Sequence, residues 1–400
     1  MSDRFVVGLG AGADGRAAVR AALARATGET DSEPRDASFA VVFASPEYDP
    51  GEVARTVREA TDAPLLGSTS AGEFTHREWA SGSVGVALSM GDGHRVHTGL
   101  GHGVTEDEEA AVREATGAFP DRSGSPTSHP YRSVLNLHDG LAGKGEEVTL
   151  ASKVELGPDV RIAGGSAGDD LRLEATHVMA DDTVATDGVA LGLVESRQEP
   201  AISVAHGHSP VSPPLRVTES DGAVVHELDG RPAFEVWREQ IRDRAAADGI
   251  DVDAFEAGGE DLSTALTNYA FGLVTGDGLK IRWPGLTDEP GESLRFACSM
   301  PEGVVLRVTA GSREAQVASA RRAAREARES LDGEPAGALV FDCICRSTAL
   351  GDGFSAAVDA MAAELDAPLL GFETYGEVAM DRDQLSGYHN TTTVIYLLPR

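Results

Sequence analysis

The sequence predicts an α/β protein made of repeated β-α-β-β units, with mixed sheets, helices packed outside and two tandem domains. Three observations carry that expectation. Asp62-Ala63-Pro64-Leu65-Leu66-Gly67 recurs letter for letter as Asp366-Ala367-Pro368-Leu369-Leu370-Gly371, and after four residues each copy gives Gly-Glu, at Gly72-Glu73 and Gly376-Glu377. A looser third copy runs Ile162-Ala163-Gly164-Gly165-Ser166-Ala167-Gly168-Asp169, whose last four residues echo Ser70-Ala71-Gly72-Glu73. The flanks repeat as well, which is the mark of a duplicated structural unit.

The elements follow in order. Before the first copy, Ser38–Phe43 reads as a buried strand, and Asp49–Ala60 as a helix with Val53, Val57 and Ala60 on one face. Before the last, Ala338–Phe341 is a strand, and Phe354, Val358, Met361 and Leu365 fall at helical spacing. A helix between two strands of one sheet makes those strands parallel. A further strand follows each motif, at Gly85–Met90, Gly188–Val194 and Asn390–Leu398. A second recurring element, strand then glycine turn then helix, is expected at Arg4–Ala24, His94–Thr116 and Val304–Leu331. Pro120–Pro130 and Ser209–Pro214 read as loops, and Asp243–Asp261 as a surface excursion with some helix. The domain boundary is expected near residue 225, giving 1–225 and 226–400. Glu227–Pro232 then serves as a connector into a helix Ala233–Arg244.

Composition bounds the partners. In 400 residues, 65 Asp and Glu oppose 34 Lys and Arg, a net charge of −31. Such a surface repels nucleic-acid phosphate and the anionic face of a membrane, so neither is an expected partner. Lys144, Lys153 and Lys280 are the only lysines. Excess acid, scarce lysine and abundant Ala and Gly point to a halophilic protein, because at molar salt the Debye length falls to about 3 Å and screens self-repulsion. No apolar run reaches the ~18 residues of a membrane span. The start, Met1-Ser2-Asp3-Arg4, has no signal-peptide character. Three cysteines make no disulfide framework, which fits a reducing, cytoplasmic location.

Leu66-Gly67-Ser68-Thr69-Ser70-Ala71-Gly72-Glu73 and Gly164–Asp170 resemble the hallmarks of the FIST amino-terminal domain, and Leu228-Asp229-Gly230-Arg231-Pro232-Ala233 follows in the expected order. Val340-Phe341-Asp342-Cys343, Arg346, Pro368–Glu377 and His389-Asn390-Thr391-Thr392 resemble the FIST carboxy-terminal domain. The resemblance spans nearly the whole chain. It implies a sensory, small-molecule-binding module of intracellular signal transduction, its ligand an amino acid or similar metabolite. The family often fuses these domains to kinase, chemoreceptor or cyclase modules. None is present in this sequence, so the expected partner is a separate signalling output protein, and the sequence leaves room for a homo-oligomer.

The candidate ligand-binding residues lie in the repeated loops at strand ends, where open α/β sheets place a crevice. They are Ser68, Thr69, Ser70, Gly72 and Glu73; Gly165, Ser166, Gly168, Asp169 and Asp170; Tyr375, Gly376 and Glu377; and Asn390. Glycines let the backbone approach a ligand, hydroxyls and N–H groups hold a carboxylate, and Glu73, Asp169 or Glu377 accept bonds from an ammonium group. The bland alternative is that the glycines serve turns and packing while the acids cap backbone. Arg346, at the end of its strand, is either a clamp on a ligand carboxylate or a structural partner of Glu377. Lys144, in the glycine-rich stretch His138–Gly145, is a secondary candidate that resembles a shortened phosphate loop without its spacing.

Other motifs point to weaker chemistry. Gly164-Gly165-Ser166-Ala167-Gly168 satisfies G-x-S-x-G, but that elbow needs a helix directly afterwards. The alternation of Asp170–Val178 predicts a strand instead. An enzyme acting through Ser166 or Cys343 is the alternative function, and it requires a base within about 3.2 Å. Gly8–Ala13 fits a dinucleotide fingerprint lacking its downstream acid, so no cofactor is expected. Cys343 and Cys345 would share one face of a strand, one ligand short of a zinc site with Cys298 unless His389 or His138 completes the set. Core packing is the preferred reading and no metal is expected. The Ala- and Arg-rich helix Ala315–Leu331 reads as a solvated amphipathic helix, with arginines available to a subunit contact.

Overall fold

A computed structural model describes residues 4–28, 33–120, 128–276, 278–288 and 290–400. Most of the loop expected at Pro120–Pro130 lies outside the described residues, as do Met1–Asp3. The described residues form three six-stranded sheets and one eight-stranded sheet.

The three six-stranded sheets are three copies of one unit. The first copy runs strand Arg4–Gly10, helix Gly15–Thr27, strand Ala37–Ala44, helix Pro50–Thr61, strand Leu65–Thr69, hairpin Glu73–Thr75/Trp79–Ala80 and strand Val84–Met90. The second runs His94–His102, helix Glu108–Thr116, Tyr131–His138, helix Gly145–Leu156, Arg161–Ser166, hairpin Val178–Ala180/Thr183–Ala185 and Gly188–Ser196. The third runs Ala201–His206, helix Arg313–Ser330, Pro335–Cys343, helices Ile344–Leu350 and Phe354–Leu365, Leu369–Thr374, hairpin Glu377–Met380/Tyr388–His389 and Thr392–Pro399. In each, the last strand lies between the first and second, antiparallel to both, while the second and third are parallel.

Each hairpin leaves its own repeat and completes the sheet of another. Glu73 of the first pairs with Phe372 of the third, Glu377 of the third with Gly165 of the second, and Val178 of the second with Ser68 of the first. The exchange is cyclic, so the three sheets close a ring around one core. Phe43, Leu66, Leu137, Ala163, Phe341 and Phe372 meet there, with the Phe43 and Phe372 ring centroids 4.2 Å apart. Helices cover the outer faces, burying Val53 and Val57 on the first sheet and Ala323, Phe354 and Met361 on the third.

The repeated hexapeptide marks a helix-to-strand turn. Asp62 and Asp366 are left-handed C-caps at φ 59° and 47°, a conformation short polar residues tolerate. The Leu-Leu-Gly that follows enters the third strand of its repeat. Gly8, Gly10, Gly99 and Gly101 let the backbone of the following helix approach their strands closely. A Cβ at Gly99 or Gly101 would lie 1.9 Å from the Ala115 oxygen or 1.8 Å from that of Ala111, and one at Gly10 would lie 2.3 Å from the Ala18 oxygen.

Two local expectations are corrected, and a third holds with a difference. Strand Val305–Gly311 and helix Arg313–Ser330 form as expected, but the strand is not part of the third repeat's sheet. It belongs to the eight-stranded sheet, which is inserted between Ala201–His206 and helix Arg313–Ser330 and carries helices Ala233–Ala247 and Glu260–Asn268. Strand, glycine and helix are contiguous in sequence there, but strand and helix serve different layers. Asp170–Val178 is a loop up to Val178, because Asp170, Leu171 and Leu173 adopt φ of 53–58° and break the alternation. Cys343 and Cys345 do not share a strand face: the strand ends at Cys343 and a helix begins at Ile344.

Candidate functional site

The ring brings the three repeated loops together at one end of the core. Backbone bonds tie each to the next: Ala71 N–H to Glu373 O at 3.0 Å and Glu373 N–H to Gly72 O at 2.8 Å, Ser166 N–H to Gly376 O at 2.7 Å, and Gly168 N–H to Thr69 O at 3.1 Å. The glycines make this interlock possible. A Cβ on Gly376 would sit 1.9 Å from the Tyr388 hydroxyl oxygen, one on Gly168 2.9 Å from the Ala71 nitrogen, and one on Gly72 3.0 Å from a Glu373 carboxylate oxygen.

Most polar groups at this junction are buried and engaged. Glu73 accepts from the Ser70 and Ser83 hydroxyls. Glu377 accepts from Thr374 Oγ1 at 2.6 Å and from Thr392 N and Oγ1 at 3.0 and 2.7 Å. Glu373 accepts from Ser347 Oγ at 2.6 Å and Trp79 Nε1 at 2.5 Å. Burial, with like charges adding to it, pushes Glu73 and Glu373 each up to about 8, and burial raises Glu377 well above the usual range. Asp169 accepts the N–H groups of Leu173, Glu174 and Ala175 and the Tyr375 hydroxyl, which itself accepts from Leu171 N–H. Asp170 accepts from Ser45 Oγ at 2.9 Å, and its other oxygen has no partner, nor has the Ser68 hydroxyl. Asn390 Oδ1 accepts from Trp283 N–H at 3.2 Å, tying the inserted sheet to the ring.

Ser166 has a base beside it. Its Oγ lies 2.7 Å from His138 Nε2, and His138 Nδ1 lies 3.0 Å from Asn136 Oδ1. Burial lowers the His138 imidazole to about 4 and keeps it neutral. Tyr388 OH stands 3.3 Å from the same Oγ, and Ser166 is 1% exposed. The distance criterion for a serine nucleophile is met, inside a closed cluster.

Two expected site residues lie elsewhere. Arg346 does not meet Glu377: it is fully buried and donates from Nε to Asp342 Oδ1 at 2.8 Å, and from its other nitrogens to Gln316 and Ser319. The helix starting at Ile344 turns its side chain back toward Asp342, four residues earlier. Lys144 is the N-cap residue of helix Gly145–Leu156 and its side chain pairs with Glu108 at 3.4 Å rather than with a junction acid. The other scarce lysines hold backbone: Lys153 Nζ donates to Val160 O at 2.7 Å and Asp381 O at 2.9 Å, and Lys280 Nζ to Ser386 O.

A cleft of about 470 Å³ opens between the inserted sheet and the third repeat. Helix Glu260–Asn268 walls one side with Ser263, Thr264, Thr267 and Asn268; the start of helix Arg313–Ser330 and Cys345, Thr348 and Ala349 wall the other. His208, Asp248 and Thr391 also line it. The cleft is wired to the junction. Ser347, on the helix that supplies Cys345 and Thr348, donates to Glu373, and Thr392, next to Thr391, donates to Glu377. Among the described residues no cluster of three or more His, Cys, Asp or Glu could hold a metal ion, and no helix is long and apolar enough to cross a membrane.

The FIST N domain model matches residues 38–231 and the FIST C domain model residues 233–380. The chain belongs to the FIST family. FIST domains are small-ligand sensory domains of signal transduction, and the two matched domains lie in tandem along this mixed α/β chain. An uncharacterised protein of Methanocaldococcus jannaschii is 32% identical over 82 residues, 20% of this chain and 16% of that one. Uncharacterised proteins of Mycobacterium tuberculosis and Mycobacterium bovis are 25% identical over 225 and 239 residues, covering 55% and 58% of this chain and 56% and 59% of theirs. The chain thus spans less than two thirds of these relatives. The crystal structure of a cyanuric acid hydrolase from A. caulinodans aligns over 99% of both chains at 11% identity and a TM-score of 0.30, too slight a likeness to carry an argument.

Sequence reasoning found the junction of this FIST protein and missed its cleft. Thr264, Thr267 and Asn268 form a polar stripe at helical spacing, which from sequence alone reads as a solvated face. Thr391 carried no signal beyond its place in the His389–Thr392 motif.

Proposed function

We propose that this protein is a small-ligand sensor of intracellular signal transduction, cytoplasmic and of haloarchaeal type, whose ligand is an amino acid or a similarly small polar metabolite. The cleft carries the reading. Its volume suits such a molecule, its walls are rich in hydroxyl and amide groups, and it holds both a cation, Arg313, and an anion, Asp248. In this reading the junction residues, from Ser68 to Glu73, Gly165 to Asp170 and Tyr375 to Glu377, couple the cleft to the rest of the ring. Ser347–Glu373 and Thr392–Glu377 are the links that support it. A separate output protein reads the change.

Thermal-shift screening of the amino acids in molar KCl, with and without Ala349→Trp to fill the cleft, tests this. Stabilisation by at least one amino acid, abolished by Ala349→Trp, is expected. No stabilisation, or stabilisation indifferent to the substitution, overturns it.

The alternative, turnover of a metabolite, has one observation in its favour, the 2.7 Å Ser166–His138 pair. A fluorophosphonate probe decides between the two readings, because only a reachable, activated serine reacts.

A further inference from the structure

Arg346, which the sequence leaves as either a ligand clamp or a structural partner, lies one side chain behind the cleft. Its guanidinium donates from Nη1 to Gln316 Oε1 and from Nη2 to the Gln316 backbone oxygen at 3.1 Å, while Asp342 holds Nε. A guanidinium has donors only, so the Gln316 amide oxygen faces it and Nε2, with two hydrogens, faces away. Nε2 lies on the side of Gly311, where a Cβ would come within 2.8 Å of it, and both Gln316 and Gly311 line the cleft. Arg346 thus fixes the sense of an amide that presents donors to the cleft.

Two further donors share that lining. Arg313 is exposed and makes no ion pair among the described residues. Thr391 is 2% exposed, its hydroxyl has no partner, and it is held at φ 53°, a left-handed conformation that a β-branched residue rarely adopts. A buried, unpaired hydroxyl on a strained residue at a cavity wall offers a hydrogen bond to a ligand. The acceptors are separate groups. Asp248 takes the Tyr269 hydroxyl. His208 is neutral, because burial with His206 and Arg346 nearby lowers it to about 3. Its Nδ1 faces Thr309 Oγ1 at 3.2 Å, and that hydroxyl already donates to Ala270 O at 2.8 Å, so Nδ1 carries the proton and Nε2 is a bare acceptor. Glu314, next to Arg313, bonds its own N–H and Ser312 and does not line the cleft.

We propose that the cleft contains an oxyanion subsite made by Gln316 Nε2, Arg313 and Thr391 Oγ1, with Arg346 as its positioning residue, which receives the carboxylate or phosphate group of the ligand. The proposal rests on reading the cleft as the ligand site. It goes beyond that reading by assigning which lining groups take the anion and by giving Arg346 an indirect part.

Isothermal titration with acetate, inorganic phosphate and acetamide, the neutral isostere of acetate, separates the claims. Acetate or phosphate binds and acetamide does not. Preference for acetate assigns a carboxylate ligand and preference for phosphate a phosphorylated one, and either supports the subsite. Arg313→Gln, on an exposed position, weakens anion binding about tenfold, the loss of one charge-assisted bond. Gln316→Glu, which replaces donors by acceptors, abolishes it. Arg346→Lys keeps the charge but not the fork, and lowers the preference for acetate over acetamide, which a merely structural residue would leave unchanged. If Arg346→Lys fails to fold, Arg313→Gln and Thr391→Val carry the test alone. Acetamide binding as well as acetate, with both lost in Ala349→Trp, would leave the cleft as ligand site and overturn the oxyanion subsite. Anion binding indifferent to Arg313→Gln and Thr391→Val overturns the subsite as well.

Discussion

Glu73 and Glu373 are buried acids on neighbouring strands from different repeats: Glu73 pairs in register with Phe372, the residue before Glu373. Hydroxyls and an indole surround them rather than cations, so the seam between the first and third repeats is held by groups that are protonated at neutral pH.

That seam sets a pH dependence. Burial first, then neighbouring carboxylates, raises both acids to about 8 in the folded state, whereas the unfolded chain titrates near the ordinary glutamate value of 4.5. Between those values the folded protein binds more protons, so stability is fully present below about 4.5 and is lost as pH rises through about 8. Denaturant unfolding from about pH 6 to about pH 9 should show falling stability, and Glu73→Gln or Glu373→Gln should flatten that fall. An unchanged slope in both variants would show that these acids are ionised in the fold.

Tyr375 bridges the second and third repeats through Asp169 and Leu171. Tyr375→Phe leaves the Leu171 N–H and one Asp169 oxygen short of a partner. The expected loss is roughly 1–3 kcal/mol, with amide exchange speeding up over residues 171–175 first. Exchange that accelerates uniformly along the chain would contradict a local tie.

Gly376 meets the Tyr388 hydroxyl so closely that no side chain fits. Gly376→Ala should cost about 1–3 kcal/mol or more by overpacking. Paired with Tyr388→Ala, the two losses should fall short of their sum, since removing the ring makes room for the methyl group. Strict additivity would place the strain elsewhere.

Ser166 should resist a fluorophosphonate probe in the native protein despite its neutral histidine, because Tyr388 and the junction loops enclose it. Labelling lost in His138→Ala would instead make the FIST ring an enzyme.

Local pattern carried much of this structure. The helix expected from Asp49 is capped by Asp49 and runs Pro50–Thr61, and the spacing of Phe354, Val358, Met361 and Leu365 marks the buried face of Phe354–Leu365. The repeated loops do converge, because identical turns at the ends of equivalent strands lie at equivalent places around a ring. Long-range pairing was not legible: nothing in Glu73-Phe74-Thr75 says that its partner is the strand 369–374. The insertion was hidden because Gly311 and Ser312 join a strand of one sheet to a helix of another without a break in the pattern. Arg346 was singled out by its position at the end of a strand, but its direction depends on a helix beginning at Ile344, one residue past the strand.

The cyclic exchange of hairpins makes this chain a trimer written as one polypeptide. In a true three-fold assembly every substitution appears three times, and a cavity beside one repeat appears beside all. Fusion lifts that constraint. Thr69, Ser166 and Glu373 occupy corresponding places at the ends of the third strands, yet hold three different side chains. The inserted sheet follows the first strand of one repeat alone, and the cleft it makes with that repeat has no symmetry mates. Under the proposed reading of the cleft, a single chain holds a single ligand there.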